Sequence, residues 1–159
     1  MIYRIRVILD SKEDVIRDIE IHESKTFEDL HFAINNYFGF SGNEMASFYL
    51  SDDNWKQRDE IMLESFENYS ENMLMKNTNL NSLINENNKK FIYVYDYLEL
   101  WTFFIEVFDL KKEEKDSIYP KNIFSIGELP QKAPKKLFIS DDNISNEFQN
   151  DNLDCEEFY

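Results

Sequence analysis

The chain has 159 residues, 42% of them apolar and 16% aromatic, and a formal net charge of −15. A chain of this length fits one domain able to bury about 68–70% of its unfolded surface, which argues against wholesale disorder. The carboxylate excess disfavours tight non-specific binding to a phosphate backbone or an anionic membrane, since both recruit Lys and Arg.

Residues 2–9 alternate, with Tyr3, Ile5, Val7 and Leu9 on one face and Arg4 and Arg6 on the other. A short polar loop leads to a second alternating run, Val15 to His22, in which Arg17, Ile19 and Ile21 oppose Asp18, Glu20 and His22. The pair reads as an antiparallel hairpin with Arg4 and Arg6 facing Asp18 and Glu20. Thr26 is a good helix N-cap, Asp29 completes a variant capping box, and Gly39 supplies the stop. Between them Phe27, Leu30, Ile34, Tyr37 and Phe38 recur at helical spacing.

Ala46 to Leu50 predicts a third strand, Asp52-Asp53-Asn54 a turn, and Glu60 to Leu63 a fourth strand. Residues 64–77 are polar and read as a surface loop or frayed helix. Thr78 is placed to cap a helical turn carrying Leu80, Leu83 and Ile84. Phe91 to Tyr95 and Trp101 to Phe108 are strongly β-prone, and the second, apolar on both faces, predicts a central strand or one covered on both sides. A last strand is expected around Asn122 to Ile126.

The expected fold class is α+β: a β-grasp-like order (β-β-α-β-β, short helix, β), a mixed sheet packed on one main helix, and an added strand pair. Residues 1–136 form one domain, followed by an acidic, disordered tail over 137–159. That tail holds seven acids and no Lys or Arg, leaving −8 on the rest. No run approaches the roughly 20 apolar residues that span a bilayer. No leader pattern of charged, apolar and small-residue regions opens the chain, so a cytoplasmic location is expected.

Three segments together resemble one known family: Thr26-Phe27-Glu28-Asp29-Leu30-His31, Met45-Ala46-Ser47-Phe48-Tyr49-Leu50, and Tyr93-Val94-Tyr95-Asp96-Tyr97 followed by Trp101. This is the mainly bacterial plasmid Ri ORF-three-like family, whose members are often labelled insertion-element passenger or TnpR-type proteins. The resemblance covers roughly residues 2–130 and implies an α+β fold. The acidic, aromatic-dotted tail resembles the Bacteroidetes-type branch. The resolvase label has no counterpart here, because a serine recombinase needs a nucleophilic serine among arginines and a basic DNA-binding domain. Where the family commonly reads Tyr-Asp-Phe-Gly-Asp-x-Trp, the chain has Tyr95 to Trp101 with Leu98 in place of glycine, so its turn geometry differs.

The candidate site residues are few. His31 falls on the apolar helix face, where it can act as acid, base or ligand; the plainer reading is a hydrogen-bonded core histidine. Asp96, Glu99 and Trp101 can form a carboxylate pair beside an aromatic, against the plainer reading of a turn with Trp101 in the core. Asp52, Asp53, Asp59 and Glu60 lack the spacing of a calcium loop and read as solvated hairpin charges. His22 reads as solvated, and two histidines without a cysteine pair make a weak zinc signal, so no metal is expected. Cys155 lies in the acidic tail, where nearby carboxylates disfavour the thiolate. Lys121, Lys132, Lys135 and Lys136 form a basic patch that can meet phosphates or pair with the acidic tail.

Phosphate-cradling and nucleophile-elbow motifs are missing, and the chain has only three glycines, so no cofactor is expected. The expectation is therefore a non-enzymatic module that binds a protein partner. An accessory nucleic-acid-binding protein of mobile elements using the lysine patch is the first alternative. An enzyme centred on His31 with Asp96 or Glu99 is the second.

Overall fold

The alternation of the first segment forms strand β1 (Ile2–Leu9), and Tyr3, Ile5, Val7 and Leu9 are all buried on one side of it. The structure, a computed structural model, describes residues 1–65 and 73–134. The tail assigned to 137–159 lies outside the described residues. Strand β2 (Ile16–His22) returns antiparallel to β1 with Arg4 opposite Glu20 and Arg6 opposite Asp18, the expected register.

Helix α1 (Phe27–Phe38) begins where its cap dictates. Thr26 Oγ1 accepts from the Asp29 amide at 3.2 Å, and Asp29 Oδ2 accepts from the Thr26 amide at 2.9 Å. Gly39 closes the helix at φ 84°, a conformation that costs glycine little. Strands β3 (Ala46–Ser51), β4 (Gln57–Met62), β5 (Met73–Leu74), β6 (Lys90–Tyr95), β7 (Trp101–Lys111) and β8 (Lys121–Ile126) follow. Among the described residues they complete an eight-stranded mixed sheet in the order β5-β4-β3-β6-β7-β1-β2-β8, parallel only between β4 and β5.

Three local expectations change. Strand β4 starts at Gln57, earlier than Glu60, because the turn closes through Asp52, whose Oδ1 accepts from the Asn54 and Lys56 amides. Within the polar stretch read as a loop, Met73 and Leu74 pair with β4, and Met75 in the following 3-10 turn is fully buried. Thr78 does not cap helix α2 (Leu80–Leu83) with its side chain; its hydroxyl donates to the Leu74 carbonyl at 2.7 Å.

The core lies between α1 and one face of the sheet. Phe27, Phe48, Phe91, Tyr93 and Phe103 are its largest fully buried side chains, and Phe27 meets Phe48 edge-on at 5.3 Å. Met75 and Leu80 join the same layer. Arg17 enters it too, donating to the carbonyls of Tyr37, Ile16 and Ile126 while its guanidinium lies 5.0 Å from the Phe38 ring. Burial lowers its pKa, with Glu128 acting the other way. Among the described residues no helix or strand packs over the opposite sheet face, and no helix is long and apolar enough to cross a membrane.

Candidate functional site

Helix α1 carries His31 into this core with no exposed surface. Its Nδ1 lies 2.7 Å from Tyr93 Oη, its Nε2 3.1 Å from Asn35 Nδ2, and Tyr93 Oη donates to Asn35 Oδ1 at 3.4 Å. One proton assignment closes this ring: Nδ1–H donates to Tyr93, Tyr93 to Asn35, and the Asn35 amide to Nε2. Burial pulls the His31 pKa down to about 4 and pushes the Tyr93 phenol well up, so both groups are neutral near pH 7. The ring is a satisfied buried polar network, and no carboxylate belongs to it.

Asp96 and Trp101 go to different places. Asp96 has φ 64°, and its Oδ1 accepts from the Leu98 and Glu99 amides at 3.0 and 3.3 Å, so the carboxylate shapes the β6–β7 turn. Positive φ falls on Asp96 and Leu100, while Leu98 is almost fully exposed. Trp101 is buried on the core face against Phe40, with ring centres 5.4 Å apart. Glu99 is exposed on the turn.

The acids of the β3–β4 hairpin do not converge either. Asp52 binds the turn amides, which lower its pKa with Lys56 N–H the largest cause, and Glu60 Oε1 accepts from Ser47 Oγ at 3.1 Å. His22 Nδ1 accepts from the Ser24 amide, and its Nε2 lies 3.5 Å from Glu113. Among the described residues no three His, Cys, Asp or Glu side chains gather as metal ligands would.

Of the basic patch, Lys135 and Lys136 lie outside the described residues, and Lys132 is exposed. Lys121 Nζ donates to Ser117 Oγ at 3.1 Å and stands 4.0 Å from carboxylate oxygens of both Glu20 and Glu114. Its charge is therefore matched locally.

What does converge is the open face of the sheet. Residues directly opposite on neighbouring strands project to the same side. Following the registers across it, Glu60 faces Tyr49, Tyr49 faces Ile92, and Ile92 faces Phe104. Phe104 then faces Ile8, Ile8 faces Ile16, and Ile16 faces Ile126. Beyond Glu60 the result is an apolar stripe running across six strands, in which Ile92 is buried. Ile8, Ile16, Tyr49 and Phe104 are half-buried, and Ile126 is 43% exposed.

Two successive charged rows lie on one side of it, and Ser47, Val94 and Thr102 on the other. Lys90, Glu106, Arg6 and Asp18 alternate in sign and end on Phe124; Arg6 grips Asp18 with two 2.9 Å bonds and lies 5.3 Å from the Phe108 ring and 5.9 Å from that of Phe124. The next row reads Asp109, Arg4, Glu20, Lys121. Glu20 is only 2% exposed. Lys111 approaches its Oε2 to 3.1 Å as an ion pair without hydrogen-bond alignment, and donates to Glu114 at 2.8 Å. Glu114 and then Glu20 raise the Lys111 pKa, and Lys111 in turn lowers that of Glu114. Arg6, Arg4, Lys111 and Lys121 thus lie within ion-pair distance of Asp18, Asp109, Glu20 and Glu114, while Lys90 stands opposite Glu106 and donates to the Asp53 carbonyl.

At the β3 end of this face Ser47, Glu60 and Tyr97 share hydrogen bonds beside Tyr49, whose phenol is pushed up to about 12 by burial and then by Glu60. Trp55 lies 4.9 Å from the Phe104 ring with Lys90 4.9 Å above it. Sequence alternation places Tyr49 and Phe104 on strands, but their alignment appears only once register is known.

Residues 1–132 match the family described as Plasmid pRiA4b ORF-3-like protein. The chain belongs to this family. Among solved structures, this ORF-3-like chain is similar to a protein of unknown function, MM3350 from Methanosarcina mazei Go1. The TM-score is 0.69 at 20% identity, covering 78% of this chain and 68% of that one. At that identity the likeness is one of fold. Curated proteins provide no match.

Proposed function

We propose that this ORF-3-like chain is a non-enzymatic protein-interaction module whose working surface is the open face of its sheet. One observation carries the proposal: an apolar stripe through Tyr49, Ile92, Phe104, Ile8, Ile16 and Ile126 lies on a face that no described element covers. Antiparallel sheets with one solvated face ordinarily place polar residues there. A continuous apolar band with paired charges along one side fits an interface whose apolar centre adjoins a polar rim there.

The nucleic-acid alternative has less support, because Lys121 is already engaged by Glu20 and Glu114. A His31-centred enzyme also has less, because the ring of His31 is committed to Tyr93 and Asn35. We read the topology as β-grasp-like, on the strength of α1 standing between the β1–β2 and β3–β4 hairpins. The Bacteroidetes-type assignment rests on the composition of 137–159, and the mobile-element association on the family's plasmid label.

Affinity capture from the native host at physiological salt tests the proposal, comparing the full chain with Ile8→Glu. A partner retained by the wild type and lost by the folded variant is expected. An identical set of proteins on both would sink it.

A further inference from the structure

We infer that the open sheet face pairs with the same face of a second copy, giving a two-fold dimer of stacked sheets. The inference rests on the interaction reading above and names its partner.

Size is the first support. Eight strands about 4.8 Å apart, most about six residues long, make a face of roughly 35 by 20 Å. Its footprint of about 700 Å² is close to the ~800 Å² each partner contributes to a standard stable complex.

Charge is the second. The chain carries −15 overall, so most of its surface repels another copy. On the open face Arg4, Arg6, Lys111 and Lys121 each pair with a carboxylate, and Lys90 stands opposite Glu106. Two copies therefore meet there with the least repulsion.

Geometry is the third. Stacked sheets keep their strand directions within about 30° of each other and interdigitate side chains across about 10 Å. The stripe runs across the strands, so aligning strands also lays stripe on stripe, with Phe104, Ile8 and Ile16 at the centre. Phe108, Phe124 and Ile126 are 44%, 41% and 43% exposed in the single chain. They border this centre and become covered. An isologous contact needs such a self-complementary patch.

Analytical ultracentrifugation of the full chain at physiological salt, across the micromolar range, tests this. The expected species has twice the 19.2 kDa chain mass. It should fall to the single-chain mass in Ile8→Glu, at the stripe centre, and in Ile126→Glu, at its exposed end where the core is untouched. A wild type that stays single overturns the inference, as does a dimer that survives both substitutions. Radical footprinting that finds Ile126 protected in a single-chain species also overturns it and assigns the face to another segment of the same chain. If the wild type is single but partner capture still depends on Ile8, only self-pairing falls. If neither mass nor capture responds, the interaction reading falls with it.

Discussion

Tyr93 Oη lies 2.7 Å from His31 Nδ1, and this bond ties strand β6 to helix α1 through a layer filled mainly by aromatic and aliphatic side chains. Together with Asn35 it gives the core three polar residues whose groups satisfy one another. Such networks fix geometry when complete and are costly when one member is removed.

The depressed His31 pKa sets a pH dependence. Its folded value is about 4 against an ordinary 6.5, so between those limits the unfolded chain binds a proton that the folded chain refuses. This group's contribution is complete above pH 6.5 and is lost as pH falls toward 4, by about 3 kcal/mol in all. Denaturant unfolding of wild type and His31→Gln across that window checks it. The variant should show the shallower slope, and equal slopes would contradict the assignment.

Removing one corner of the ring should be worse than its single bond suggests. Tyr93→Phe leaves His31 Nδ1 and Asn35 Oδ1 buried without that partner, a cost of about 1–3 kcal/mol. Chemical denaturation at neutral pH reads it directly, and a loss below a few tenths of a kcal/mol would count against a dry site.

Thr26→Ala removes the oxygen that accepts from the Asp29 amide and the partner of the Asp29 carboxylate. A loss of about 0.5–2 kcal/mol is expected. Amide exchange should quicken first in the opening turn of α1.

Gly127 has φ 73°, and a Cβ there would stand 2.2 Å from the Asp14 carbonyl oxygen. Gly127→Ala must displace backbone, so a destabilisation on the order of 1–3 kcal/mol is expected, focused on the β2–β8 contact. Exchange of the β8 amides should rise more than that of β6; uniform change would refute the localisation.

Tyr49 offers a spectroscopic check on the open face. Its phenol, raised to about 12 by burial and by Glu60, should titrate late in the alkaline absorbance curve. Tyr49→Phe should reduce that late component, which Tyr93 shares, and Glu60→Gln should bring the Tyr49 part earlier. A raised phenol favours the folded state below pH 10 and loses that contribution as pH climbs from 10 to 12.

Much of the fold was legible because the signals were local. Arg4 and Arg6 against Asp18 and Glu20 fixed the hairpin register, and Thr26 with Asp29 marked the helix start. Met75 was missed because it sits in residues 64–77, a mostly polar stretch, and its burial comes from distant packing against α1. Trp101 and His31 were legible as core residues by the plainer reading, while Asp96 belongs to the turn. The open face was not legible. Phe104 and Ile8 are far apart in sequence and become neighbours only through the antiparallel pairing of β7 with β1.

The cross-strand rows carry a consequence for how such a surface changes over generations. Each stripe residue comes from a different strand, so inserting or deleting one residue inside any of them turns that strand's side chains over and breaks the row. Length variation is therefore confined to the connections between strands, and the face itself can diversify only by exchanging one side chain for another.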